Sequence, residues 1–140
     1  VLDGLFAVGL CMALNPECSA VRVFQGIARA VIGKGAFEGG LATASLGLAM
    51  HVGVAVTWAA AYLVLYRRWA WLRERVRTPG GVIAASAAWG ALVWLTMRFV
   101  VIPLTLAPGG PVASWSFVTM IVGHMVVVGL PIVAIVREAQ

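Results

Sequence analysis

Four ionisable side chains interrupt otherwise apolar stretches of this sequence: Asp3, His51, Arg98 and His124. Their types permit three chemistries. Aspartate and arginine can form an ion pair, two histidines can ligate a haem or a bacteriochlorophyll-type macrocycle axially, and an Asp-His-His-Arg series can relay protons or ions. All three presuppose groups held within a membrane, where a charge at the bilayer centre costs at least ~2.5 to 3.5 kcal/mol and so turns inward to a partner. His51 is the best placed. It stands in Gly47-Leu48-Ala49-Met50-His51-Val52-Gly53, inside a stretch over residues 41–66 without Asp, Glu, Lys or Arg, longer than the ~20 residues needed to cross a hydrocarbon core. Gly40, Thr43 or Ala44, and Gly47 precede it at spacings of three and four. The small residues therefore share its helical face, and His51 is expected to face protein.

The elements that must position these groups are helices. The chain reads as all-α and polytopic, a single transmembrane bundle over residues 1–140. Spans are expected at 1–14, 41–66, 82–106 and 112–136, with a short interfacial amphipathic helix at 19–33. Fourteen residues rise only about 21 Å, less than the ~30 Å core, so the first span is expected to start upstream of Val1. About six further residues would bring Asp3 to mid-membrane. A signal peptide fits less well, because Asp3 lies in the apolar segment and neither a basic leader nor a clean small-x-small site is present. Asn15-Pro16-Glu17 ends this helix, and Ser19 is placed to cap the next. There Phe24, Ile27, Ala28 and Val31 form an apolar stripe, with Arg22, Gln25 and Arg29 on another face. Residues 33–40 lack dinucleotide or Walker spacing and read as a flexible turn.

Tyr62, Tyr66, Arg67, Arg68, Trp69 and Trp71 mark a helix leaving the bilayer through an aromatic belt. Thr78-Pro79-Gly80-Gly81 is turn chemistry. The third span carries Arg98, about 7 Å outward of its midpoint, and Pro103 near its end. His124 lies near the middle of the last span. With 62% hydrophobic and 11% charged residues, against ~25% charged in soluble domains, the composition excludes a water-soluble core. The net charge of +5 sits between and beside the spans, so it is a topology signal and not a nucleic-acid footprint. Five arginines within residues 67–77 put loop 67–80 and both termini in the cytoplasm and the uncharged loop 107–111 outside.

No catalytic constellation appears. Ser45, Ser86 and Ser114 lack a GxSxG elbow, neither histidine belongs to an HExxH motif, and the methionines are dispersed. Cys11 and Cys18 form no CxxC pair and have no histidine nearby; they fit neither a disulfide framework nor a zinc site and receive no role. Trp89 and Trp94 read as packing or lipid-facing residues. Asp3 with Arg98 is the expected ion pair, with His51 and His124 completing a network through Thr43, Thr96 or Thr119. That network can serve only to set helix order. It can alternatively present His51 and His124 as axial ligands of an electron carrier, or relay protons or ions.

Several segments, Gly35-Ala36-Phe37-Glu38-Gly39-Gly40, Thr43-Ala44, Leu46-Gly47-Leu48 with His51, Val100-Val101-Ile102-Pro103-Leu104, and His124 with Val128-Gly129-Leu130-Pro131-Ile132, together resemble a family of small bacterial four-helix inner-membrane proteins of unknown function. The resemblance covers nearly the whole chain, including an aspartate where Asp3 stands; Arg98 departs from it. It implies the bacterial inner membrane and a four-helix topology, and no reaction.

The expected function is a non-enzymatic accessory or scaffold subunit, embedded in lipid and packed against a larger respiratory or photosynthetic complex. A haem- or pigment-binding electron carrier and a small proton or ion translocator are the alternatives. The orientation is directly testable: a cysteine at Arg75 should label only from the cytoplasm and one at Gly109 only from outside. The reverse pattern would mean that Arg22, Arg29 and Lys34 govern insertion.

Overall fold

Apolar runs that cannot hydrogen-bond to lipid must satisfy their backbone groups internally, and every regular element among the described residues is a helix. The structure, a computed structural model, describes residues 2–107 and 114–139, with side chains at 2–107 and 117–139. In chain order the helices are α1 (Leu2–Leu14), α2 (Ala20–Ile32), α3 (Gly40–Arg68), α4 (Ala70–Arg75), α5 (Pro79–Thr96), α6 (Ser114–His124) and α7 (Leu130–Glu138). Three helical stretches are long and apolar enough to cross a membrane: Gly40–Arg68, Pro79–Leu104 and Phe117–Glu138, while Leu2–Leu14 is apolar but shorter. Only 6% of the most apolar window of α3 is buried, so most of its surface is suited to lipid.

The chain divides into two compact units, Val1–Ala55 with Met97–Pro111 and Val56–Thr96 with Val112–Gln140. In the first, α1 ends at the turn of Asn15, whose side chain accepts from the Glu17 amide at 2.9 Å. This turn brings the Cα atoms of Cys11 and Cys18 to 5.9 Å, and the two are joined in a disulfide. The expectation that the cysteines have no role is thereby corrected. A bridge across one helix end needs neither a framework of many cysteines nor a CxxC spacing, only a chain reversal between its ends. Ser19 caps α2 as expected, accepting from the Arg22 amide at 3.3 Å.

The apolar stripe expected on α2 is only partly the buried one. Ala28 is fully buried and Gln25 is buried as well, at 6% exposure, whereas Val31 is 58% exposed. The Gln25 amide is accommodated because it donates to the Gly40 carbonyl at 3.0 Å. Thr43 Oγ1 in turn donates to the Ala36 carbonyl at 2.6 Å. Within the turn expected over residues 33–40, residues 33–37 form a 3-10 turn with Ala36 fully buried. Gly33 opens it with φ of 70°, a left-handed conformation in which glycine pays no steric penalty. α2 crosses α3 at Gly47, where a Cβ would collide with the Phe24 carbonyl.

In the second unit α5 packs against α6, α7 and the π turn Met125–Gly129 between them. A Cβ on Gly90 would collide with the His124 carbonyl, and one on Gly129 with the Ser86 carbonyl. Each helix therefore seats a glycine against the other's backbone, and Trp94 closes on Phe117 edge to face at 4.8 Å between ring centroids. Both π turns, Met97–Val101 and Met125–Gly129, stand just before a proline, Pro103 or Pro131. A proline has no amide to donate and crowds the carbonyl four residues earlier, here Phe99 or Val127. Widening the helix at that point relieves the crowding.

Gly129→Val should lower the thermal unfolding temperature in detergent, by the equivalent of about 3 kcal/mol, because the backbones would have to separate. Gly9→Ala should change it little, since a Cβ there meets nothing within 4 Å.

Candidate functional site

The polar cluster around His51 is built by three helices of the first unit. Helix α3 presents the imidazole on the same face as buried Ala44 and Gly47, as the spacing of small residues predicts. Helix α1 brings Asp3, whose Oδ2 lies 3.9 Å from His51 Nε2; the two side chains are 24% and 14% exposed. That separation permits a charge interaction when the imidazole is protonated and is long for a direct hydrogen bond. Next in sequence, Gly4 makes room for the ring, since a Cβ there would stand 3.2 Å from Nε2. Helix α2 supplies Phe24, whose ring meets the imidazole edge to face at 6.3 Å. A small apolar cavity of about 190 Å3 adjoins them, bordered by Leu5, Val8, Leu48 and Val52 among others.

The chemistry open to this arrangement is proton exchange between a carboxylate and an imidazole in a largely apolar setting. With the imidazole protonated, the pair also attracts α1 to α3. Arg98, the ion-pair partner expected for Asp3, lies in the π turn Met97–Val101 of the same unit. Its guanidinium stands 5.8 Å from the centroid of its neighbour Phe99. Thr43, expected to join the histidine network, uses its hydroxyl on Ala36. His124 belongs to the second unit. Its Nδ1 donates to the Met120 carbonyl at 2.8 Å, which in the neutral ring leaves Nε2 as the nitrogen with a lone pair. Among the described residues no three His, Cys, Asp or Glu side chains converge as a metal site.

Sequence reasoning did not connect Gly4 or Phe24 with His51, because a glycine in a short apolar helix and a phenylalanine on an amphipathic one carry no signal of a shared partner. Nor did it find the aromatic group of the second unit, where Tyr62 meets Trp89 at 5.1 Å and Trp58 meets Trp89 at 5.7 Å. The repetition Trp58, Tyr62, Tyr66 at spacings of four was the available clue. The Tyr62 hydroxyl, the Ser86 hydroxyl and the Trp89 indole N–H are buried with no hydrogen-bond partner among the described residues.

Comparison with protein-family models, with curated proteins and with solved structures returns no match for this chain. The class that fold and site define is therefore an all-α protein with three helices suited to crossing a membrane and an Asp-His cluster held among its helices.

A double-mutant cycle on Asp3→Asn and His51→Gln, measured as stability in detergent, should return a coupling of about 0.6 to 1.7 kcal/mol, the range for polar contacts between membrane helices. A parallel cycle with Arg98→Met separates the two candidate partners. Coupling to Arg98 with none to His51 would return the carboxylate to the pair expected from sequence.

Proposed function

We propose that this chain is a non-enzymatic accessory or scaffold subunit of the bacterial inner membrane, packing through the outer face of α3 against a larger complex, respiratory or photosynthetic. The observation that carries this reading is the split use of small residues along one helix. Ala44 and Gly47 are buried, whereas Ser45, Ala49 and Gly53, four apart, are exposed. A Cβ at Gly53 would meet nothing within 4 Å. Such a stripe lets a second helix approach backbone to backbone, which is how helices gain contact where lipid competes equally for apolar side chains. The bacterial inner membrane rests on the family resemblance, and the fourth span on the apolar character of α1 together with that resemblance.

In this reading both termini and loop 67–80 are cytoplasmic. The arginines of that loop support it, and so does the Cys11–Cys18 disulfide, since such bonds persist on the oxidising side of a membrane. With 13 residues, α2 rises only about 20 Å and does not cross. The disulfide turn then lies at the outer face, the side its chemistry favours.

A second reading, proton or ion translocation, is favoured by one observation, the Asp3–His51 pair, because acid-imidazole chains are the usual carriers of intramembrane proton transfer. The complex is the discriminating measurement. Mild-detergent purification should recover the wild-type chain at a mass well above a monomer, with partners in fixed ratio. Gly53→Leu should release it as a folded monomer with unchanged thermal unfolding. A wild-type monomer, or a complex indifferent to Gly53→Leu, overturns the scaffold reading.

A further inference from the structure

The second unit contains an open groove of about 860 Å3, within the ~300 to 1,000 Å3 usual for ligand sites. Its floor is the small-residue face of α5, including Gly80, Gly81, Ala84, Ala85 and Ala88, and Tyr62 and Trp89 stand in its wall. Small side chains leave a channel along the helix, beside the buried rings of Tyr62 and Trp89, which meet at 5.1 Å between centroids. From Gly80 to Leu92 the lining follows α5 for about 18 Å, close to half of the ~30 Å hydrocarbon core. The groove is thus one leaflet deep.

Its mouth is chemically distinct. Trp69, Trp71 and Arg75 border it, where the apolar span gives way to the basic loop. The neighbouring arginines are engaged: Arg73 donates to the Tyr66 and Arg67 carbonyls at 3.1 and 2.7 Å, closing the end of α3, and Arg77 pairs with Glu74 at 3.0 Å. The Arg75 guanidinium has no carboxylate or carbonyl partner among the described residues. It is held 5.7 Å from the Trp71 ring centroid, a stacking that orients the group and leaves its N–H donors available. The N-terminus of α5 adds partial positive charge at the same mouth.

We propose that this groove is a binding site for an anionic phospholipid, one acyl chain lying on the Ala-Gly floor of α5 and the phosphate meeting Arg75. The length fits a chain within a single leaflet, the floor fits its narrow section, and the arginine supplies the complementary charge at headgroup depth.

The test uses the full chain, delipidated in detergent and titrated with phosphatidylglycerol carrying brominated acyl chains, with tryptophan fluorescence as the readout. Quenching should saturate at about one lipid per chain, and brominated phosphatidylcholine should bind about fivefold more weakly, the equivalent of ~1 kcal/mol for one interfacial arginine. Arg75→Gln, a change at an exposed position, should abolish that preference while quenching persists. Ala88→Phe, which fills the floor, should abolish saturable quenching while thermal unfolding is retained. Inorganic phosphate alone should not displace the lipid. Quenching that never saturates, equal affinity for the two lipids, or an unchanged response in both variants overturns the proposal; if Ala88→Phe does not fold, the Arg75→Gln comparison decides it.

Discussion

Helices surrounded by lipid gain nothing by merely hiding apolar side chains from water, so their association depends on how closely their backbones can approach. Both compact units of this protein meet that constraint with glycine. Gly47 of α3 lies against the Phe24 carbonyl of α2, and Gly90 and Gly129 lie against the carbonyls of His124 and Ser86. These contacts hold the elements near enough for dispersion and weak Cα–H···O interactions to act over many atoms. Most other side chains on α3 are left facing outward, as suits a helix in contact with lipid.

Close approach also decides what the polar groups can do. Because α2 crosses α3 at Gly47, Gln25 reaches the Gly40 carbonyl and Phe24 reaches the His51 ring. The polar atoms at the start of α3 are satisfied locally, by Thr43 on Ala36 and by Gln25 on Gly40. His51 stands a further two turns along, next to Asp3 and beside the gap left by Gly4. A charge-bearing pair in so apolar a place is costly to leave half made. The cluster consequently ties α1 to α3 whatever else it does, and the disulfide of α1 to the start of α2 reinforces the same corner of the fold.

Two surfaces of the chain carry the proposed interactions. One is the exposed Ser45, Ala49 and Gly53 edge of α3, which has the form of an interface between helices. The other is the groove along α5 with Arg75 at its mouth, which has the form of a lipid site. They belong to different units and involve different chemistry, backbone proximity in one case and charge with chain shape in the other.

Sequence alone determined the helices and their character. Hydrophobic runs of more than about 20 residues admit only closed backbone hydrogen bonding in lipid, and Gly40, Ala44, Gly47 and His51 share a face by the arithmetic of the helix. Ser19 as a cap followed from its place before an amphipathic run. Tertiary structure decided the partners. Which carboxylate neighbours His51, why Gln25 is buried on a face that reads as polar, and how Cys11 meets Cys18 all depend on chain reversals and crossing points, whose geometry no spacing within one helix encodes. The π turns before Pro103 and Pro131 are intermediate. The prolines announce a break in hydrogen bonding, but whether a helix kinks, stops or widens there depends on what packs against it, and at Met125 the close partner is Gly90.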